Sequence, residues 1–312
     1  VNPGTDSLLV GAAVCFGGCV PPSTERLVDT NGVQLRLLEA GELGSAVLLA
    51  HGFPDLAYTW RHQIPVLADA GFHVLAPDQR GYGGSSRPAD VSAYDIHSLT
   101  GDLIGVLDST GRDTAVVIGH DWGAMVAWQT ALLHPDRVSA VAGLSVPPVP
   151  RPRSRPTEKW REKFGEDFYM LRFQEQGPAD TAMAADVAAT MRGLFAGGPG
   201  TELPDWITEA EFDVYVEEFR RTGFTGGLNW YRNYDRNWET TAELDTARIT
   251  APALFVGGSA DPVLGFMRPD RATEVATGPY REVMVAGAGH WVHQERADEV
   301  NRILLDFLEG LS

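Results

Sequence analysis

The apolar positions follow two rhythms, with a long interruption between their occurrences. Short, densely apolar runs of strand length fall at 25–30, 33–39, 46–50, 72–76, from Ala115, and at 141–146. Asn31-Gly32 between the first two is a hairpin signal, and 46–50 is apolar throughout, as a central strand would be. Helical spacing separates the later runs: Trp60, Ile64 and Leu67 share one face, then Ile96, Leu99, Leu103 and Leu107 another. Strand alternating with helix implies a parallel sheet wound by right-handed crossovers.

From Pro147 to about Asp245 no buried strand is expected. Prolines 147, 148, 150, 152 and 156 mark a linker, followed by helical segments at 157–164, 167–174 and 179–194. A further helix opens near Thr208, where Thr208-Glu209-Ala210-Glu211 fits a capping box. Strands resume at 252–257 and 281–286. A closing helix carries Val300, Ile303, Leu304, Phe307 and Leu308 as one stripe. The expected fold is therefore α/β: a mostly parallel eight-stranded sheet with helices on both faces. Residues 25–146 and 246–312 form its core, and 147–245 an inserted helical lid above the carboxyl ends of the strands.

Composition narrows the setting. The chain has 312 residues, 44% hydrophobic and 21% charged, enough for a large core in one or two domains. A formal net charge of −17 argues against nucleic acid or an anionic membrane as partner and fits the cytosol, with the chain a monomer or homodimer. It says little about a neutral substrate. The two cysteines, Cys15 and Cys19, offer no disulfide framework and no further metal ligands nearby. Residues 1–24 read as a flexible extension. Their apolar stretch from Leu8 to Val20 is too short for a membrane span, and no basic residue precedes it.

The chemistry concentrates at Gly119-His120-Asp121-Trp122-Gly123, between an apolar run and a helix that lasts to Pro135. Glycines two residues either side of Asp121 let a very sharp turn form and leave Asp121 at its apex. This resembles the nucleophile elbow of the α/β-hydrolases, with Asp in place of the commoner Ser. A carboxylate attacks an electrophilic carbon directly and leaves an ester that water must cleave. That step needs a base and an acid to orient it. His290, in Gly287-Ala288-Gly289-His290-Trp291, directly follows the last strand; His120 and His293 compete for the role. Asp261, in Gly257-Gly258-Ser259-Ala260-Asp261-Pro262, is the acid of choice, since 144–150 holds no carboxylate. Backbone N–H groups of Trp122 and of Phe53, in His51-Gly52-Phe53-Pro54, are the candidate oxyanion donors, and Pro54 is a candidate cis proline.

Together His-Gly-Phe-Pro, Gly-His-Asp-Trp-Gly, Asp261-Pro-Val-Leu and Gly-His-Trp resemble the α/β-hydrolase-fold epoxide hydrolases, in particular the mycobacterial A type. Phe168-Tyr169-Met170-Leu171-Arg172-Phe173-Gln174-Glu175 and Leu228-Asn229-Trp230-Tyr231-Arg232-Asn233 are similar to the two lid-tyrosine motifs of that family. The resemblance spans roughly residues 25–311. It implies that Tyr169 and Tyr231 grip the oxygen of a small apolar epoxide while Asp121 opens the ring. Phe53 and Trp122 then also line the substrate pocket, water is the second substrate, and no metal or organic cofactor is required. Without the resemblance both tyrosines read as lid-core aromatics. Gln176 departs from the pattern, standing where the family usually has Pro. The rival readings are a haloalkane or haloacid dehalogenase using the same Asp nucleophile, and a non-catalytic ligand-binding protein on the same fold. A serine esterase is disfavoured, because no Ser stands at the elbow.

Overall fold

Asn31 and Gly32 take positive φ angles of 45° and 76°, the left-handed pair that closes a two-residue hairpin. In the computed structural model, which describes residues 23–198 and 202–311, this turn joins β1 (Thr24–Thr30) to β2 (Val33–Ala40). Six more strands follow: β3 (Ala46–Ala50), β4 (His73–Pro77), β5 (Ala115–His120), β6 (Val138–Leu144), β7 (Ala253–Gly258) and β8 (Tyr280–Val285). They form one sheet in the order β1-β2-β4-β3-β5-β6-β7-β8, antiparallel only at β1–β2 and β2–β4. The 1–24 extension, with Cys15 and Cys19, lies almost wholly outside the described residues.

The central strands are apolar on both faces because both faces are covered. Leu48, Ala50 and Val117 pack with α2 (Ile96–Ser109) and α3 (Trp122–Leu133) on one side. Val47, Leu49, Val116 and Ile118 pack on the other with α1 (Ile64–Asp69) and the closing helix, through Ile64, Leu67, Val300 and Leu304. The side-chain period of two thus divides β3 and β5 between two cores.

Between β6 and β7 the described chain is helical: α4 (Pro156–Phe164), α5 (Tyr169–Arg172), α6 (Pro178–Ala185), α7 (Val187–Ala196), α8 (Glu209–Thr222), α9 (Thr225–Arg232) and α10 (Tyr234–Thr240). Two helices end the chain, α11 (Val292–Glu295) and α12 (Ala297–Glu309). The Thr208–Glu211 capping box forms as the sequence indicates, each side chain meeting the other's backbone N–H. No helix among the described residues is long and apolar enough to cross a membrane.

Several element boundaries differ from expectation. Trp60, Ile64 and Leu67 are all buried in one cluster, but a 3-10 turn (Ala57–His62) and α1 share them, because Pro65 starts a new helix. The helix expected over 179–194 is two helices. Asp186 leaves helical geometry (φ −144°, ψ 92°) and caps α7 by accepting from the Ala189 N–H. The helix expected over 167–174 is a single turn, α5. Strand β6 begins and ends earlier than 141–146, since Ser145 has φ 66° and cannot extend it.

Candidate active site

Parallel strands deliver their carboxyl ends to one edge of the sheet, and the sequence motifs sit on the loops that leave that edge. Asp121 lies between β5 and α3 with φ 52° and ψ −121°, a strained backbone for a non-glycine residue. The glycines around it are there for space. A Cβ on Gly119 would stand 2.0 Å from the Gly123 carbonyl oxygen, and one on Gly123 2.0 Å from that of Ala50. A Cβ on Gly52 would come within 2.4 Å of Asp121 Oδ1.

That oxygen accepts a hydrogen bond from the Phe53 N–H at 2.8 Å. The Phe53–Pro54 peptide is cis. The loop is fixed by His51, whose Nε2 accepts the Gln79 N–H at 2.9 Å. Trp122 is the first residue of α3, so its N–H is one of the four that have no acceptor inside the helix.

The other carboxylate oxygen, Oδ2, lies 3.5 Å from His290 Nε2. On the far side of the ring, His290 Nδ1 lies 3.0 Å from Asp261 Oδ2 and 3.2 Å from Oδ1. The side chain of Asp261 is fully enclosed, and its Oδ1 also accepts the Val263 N–H at 2.8 Å. The structure therefore brings Asp121, His290 and Asp261 into one line. The loops bearing the latter two are laced together: Ala260 N–H donates to Ala288 O, and Gly287 N–H to Ser259 Oγ, both at 2.8 Å.

Burial opposes the charge of His290, but hydrogen bonds and attraction from Asp121 and Asp261 outweigh it and push the imidazole up to about 10. Burial likewise opposes the charge of Asp121, yet His290 beside it, with the Phe53 amide, holds the carboxyl below its ordinary range. Asp121 and Asp261 on either side of the ring thus both favour its protonated form.

The competing histidines are elsewhere occupied. His120 Nε2 lies 2.9 Å from the His290 carbonyl oxygen, and His293 Nε2 lies 2.7 Å from Thr59 Oγ1. Burial pulls both down, His120 to about 4, so they stay neutral. With Asp55 they bring one ligand atom each within 4.8 Å of one another, a group whose spacing could accommodate a metal ion. It lies behind the elbow rather than at it: His120 is a neighbour of Asp121 in sequence, but its ring turns to the His290 carbonyl and the His293 ring, 4.4 Å away.

Tyr169 opens α5 and Tyr231 lies near the end of α9, with ring centres 6.3 Å apart. Around Tyr231 stand Phe53 at 5.4 Å, Trp122 at 5.1 Å and Phe173 at 5.1 Å, all edge to face. The helical segment thus rests on the residues that follow β3 and β5. Tyr231 is 4% exposed and Tyr169 38%. Burial raises both phenols and the charge of Asp121 raises them further, so both stay protonated donors. Gln174 ties the two helices together, donating from Nε2 to Met170 O at 2.8 Å and Tyr231 O at 2.9 Å. Arg232 adds a bond to Phe173 O at 3.1 Å. Sequence reasoning assigned no task to Gln174, Arg232, His51 or Ser145. Gln174, Arg232 and His51 stand inside motifs it quoted, which was their only signal, and Ser145 fell within the strand expected over 141–146 and carried none. Past Gln176 the chain turns at Gly177 (φ 105°) into Pro178, which opens α6.

Comparison with known proteins agrees with this geometry. Residues 45–297 match the family model described as alpha/beta hydrolase fold. Epoxide hydrolase A of Mycobacterium tuberculosis is 59% identical over 315 residues, spanning 92% of this chain and 98% of that one. The crystal structure of Epoxide Hydrolase A from Mycobacterium thermoresistibile superposes with a TM-score of 0.90 at 61% identity, covering 93% of this chain and 99% of that one. An epoxide hydrolase from an endophytic Streptomyces gives 0.88 at 42% identity, covering 93% and 96%. The chain belongs to the epoxide hydrolases of the α/β-hydrolase fold.

Proposed function

We propose that this protein converts an apolar epoxide to a vicinal diol through a covalent ester on Asp121. One observation carries the reading. A carboxylate has one oxygen held by the Phe53 amide and the other beside a carboxylate-paired histidine, and of two phenols whose rings lie 6.3 Å apart, Tyr231 packs on Phe53 and Trp122, the residues flanking that carboxylate's amide contact and elbow.

The residues divide the work by position. Tyr169 and Tyr231 hold the epoxide oxygen and donate a proton as the C–O bond breaks. Asp121 Oδ2, free of the Phe53 amide, attacks the ring carbon and forms the ester. Esterification removes one of the two negative charges that keep His290 protonated, so its affinity for the proton falls. The proton it releases restores the tyrosine that gave its own to the alkoxide. Neutral His290, oriented by Asp261, then draws a proton from water, and the hydroxide adds to the ester carbonyl. Charge collects on Oδ1, where the Phe53 amide already donates and the Trp122 amide joins it. Collapse breaks the bond from the carbonyl carbon to the ester oxygen, which leaves with the diol and takes the proton carried in by the hydroxide, so that Asp121 is again a carboxylate and His290 again protonated. Segment 147–245 serves as the lid, with Phe53, Trp122, Tyr169 and Tyr231 walling the substrate pocket. The reaction needs no cofactor.

The test is to trap the ester. His290→Gln incubated with styrene oxide is expected to gain the mass of one substrate on the peptide containing Asp121, while the native enzyme releases diol. Halide released from a haloalkane panel, with no diol from epoxides, would assign the protein to the dehalogenases instead.

A further inference from the structure

The backbone around His290 is held from three sides, and one of the holders has no part in the reaction as described. Glu295, at the end of α11, folds its carboxylate back onto the loop that precedes the helix. Oε2 accepts the Gly289 N–H at 2.6 Å, and Oε1 accepts the Trp291 N–H at 3.1 Å. These are the amides immediately before and after His290. From the other side, the His290 carbonyl oxygen accepts from Ser145 Oγ and lies 2.9 Å from His120 Nε2. Gly289 makes room for the arrangement: a Cβ there would come 3.0 Å from Glu295 Oε1.

We infer that Glu295 is a positioning residue for His290, resting on the covalent reading above. A carboxylate that accepts two backbone N–H bonds makes charge-assisted links of good geometry, and both atoms are engaged. They fix the loop on either side of the base and so fix the direction of Nε2. Because His290 works as a base only after the ester has formed, the two steps depend on Glu295 differently. Attack by Asp121 needs the Phe53 amide and the tyrosines, none of which touches Glu295. Hydrolysis needs Nε2 aimed at a water that itself faces the ester carbon, and misplacement by about 1 Å costs up to about a hundredfold.

The substitution Glu295→Gln keeps the shape but leaves only one acceptor oxygen, and its NH2 faces an amide N–H. Single-turnover mixing with styrene oxide, followed by acid quench and mass spectrometry of the Asp121 peptide, separates the steps. Glu295→Gln is expected to form the ester within about twofold of the native rate and to hydrolyse it at least about tenfold more slowly, so that ester accumulates. Ester formation at the native rate also reports that the variant is folded. His290→Gln, run alongside, is expected to accumulate ester fully. A Glu295→Gln enzyme that slows both steps equally, or neither, would overturn the inference. Failure of His290→Gln to form any ester would instead overturn the covalent reading, so the two failures are distinguishable.

Discussion

At the scale of single residues, His290 is the hinge of the chemistry, because its charge depends on that of Asp121. With both carboxylates present the imidazole is raised to about 10. Asp121→Asn imitates the neutral ester and leaves only Asp261 to hold the proton. Imidazole signals followed by NMR are expected to titrate at a markedly lower pH in Asp121→Asn than in the native enzyme; identical titrations would mean the two groups are not coupled. The tyrosines carry the complementary expectation. Tyr169→Phe or Tyr231→Phe is expected to slow ester formation by about 10²-fold, the usual scale for a lost proton donor, and to leave ester hydrolysis unchanged. Asp121, His290 and Asp261 stood out as candidates in the sequence because each sits in a short motif whose neighbours have a steric or hydrogen-bonding reason to be there. Tyr169 and Tyr231 stood out only through the resemblance of their lid motifs. Glu295 did not stand out. Its role depends on a backward fold of a single helical turn, which spacing does not reveal.

At the scale of elements, the elbow works because β3, β5 and α3 approach more closely than side chains allow. Gly123→Ala forces a Cβ to within 2.0 Å of the Ala50 carbonyl, and backbone cannot yield as a side chain can. The cost is expected to be about 3 kcal/mol, the upper end for overpacking, read as a melting point lower by about 4–6 °C. A stability within error of native would show that the strands separate freely. The central strands β3, β5 and β7 were readable because burial on both faces gives short apolar runs. Of the two helices beside the elbow, α2 was readable because its apolar positions recur at helical spacing, and α3 because the elbow and Pro135 bound it. The region between β6 and β7 was read less well. There short helices pack against aromatic neighbours, and single residues such as Asp186 and Pro178 decide where each begins. Periodicity averages over windows longer than those helices.

At the scale of the whole molecule, the helical segment is anchored by charge as well as by apolar packing. Arg61, almost fully buried beyond β3, donates to Glu211 at the start of α8 at 2.7 Å. Within the segment, Arg232 on α9 pairs with Asp180 on α6 and ties two of its helices together. Burial opposes ionisation of both carboxyls. The Thr208 amide with Arg61 wins at Glu211, and Arg232 with neighbouring hydrogen-bond donors wins at Asp180, holding each at about 2. A folded-state pKa below the ordinary value stabilises fully above that value, here 4.5 and 3.8, and the benefit disappears as the pH falls towards 2. Glu211→Gln keeps the cap but strands the Arg61 charge. It is expected to lose about 1–2 kcal/mol at neutral pH, less than a fully buried pair would because Glu211 is partly solvated. Its melting point should fall less steeply than the native one between pH 4.5 and 2; parallel curves would contradict the role of this pair. The central claim, that the oxygen added to the epoxide comes first from Asp121, has a direct measurement. Enzyme in excess over styrene oxide is allowed one turnover in H₂¹⁸O, with Asp121→Ala as control. The expected product is diol without label, because the transferred oxygen belonged to the carboxylate, and the control should give none. Labelled diol from that first turnover would mean that water attacks the ring directly, and the covalent account would be wrong.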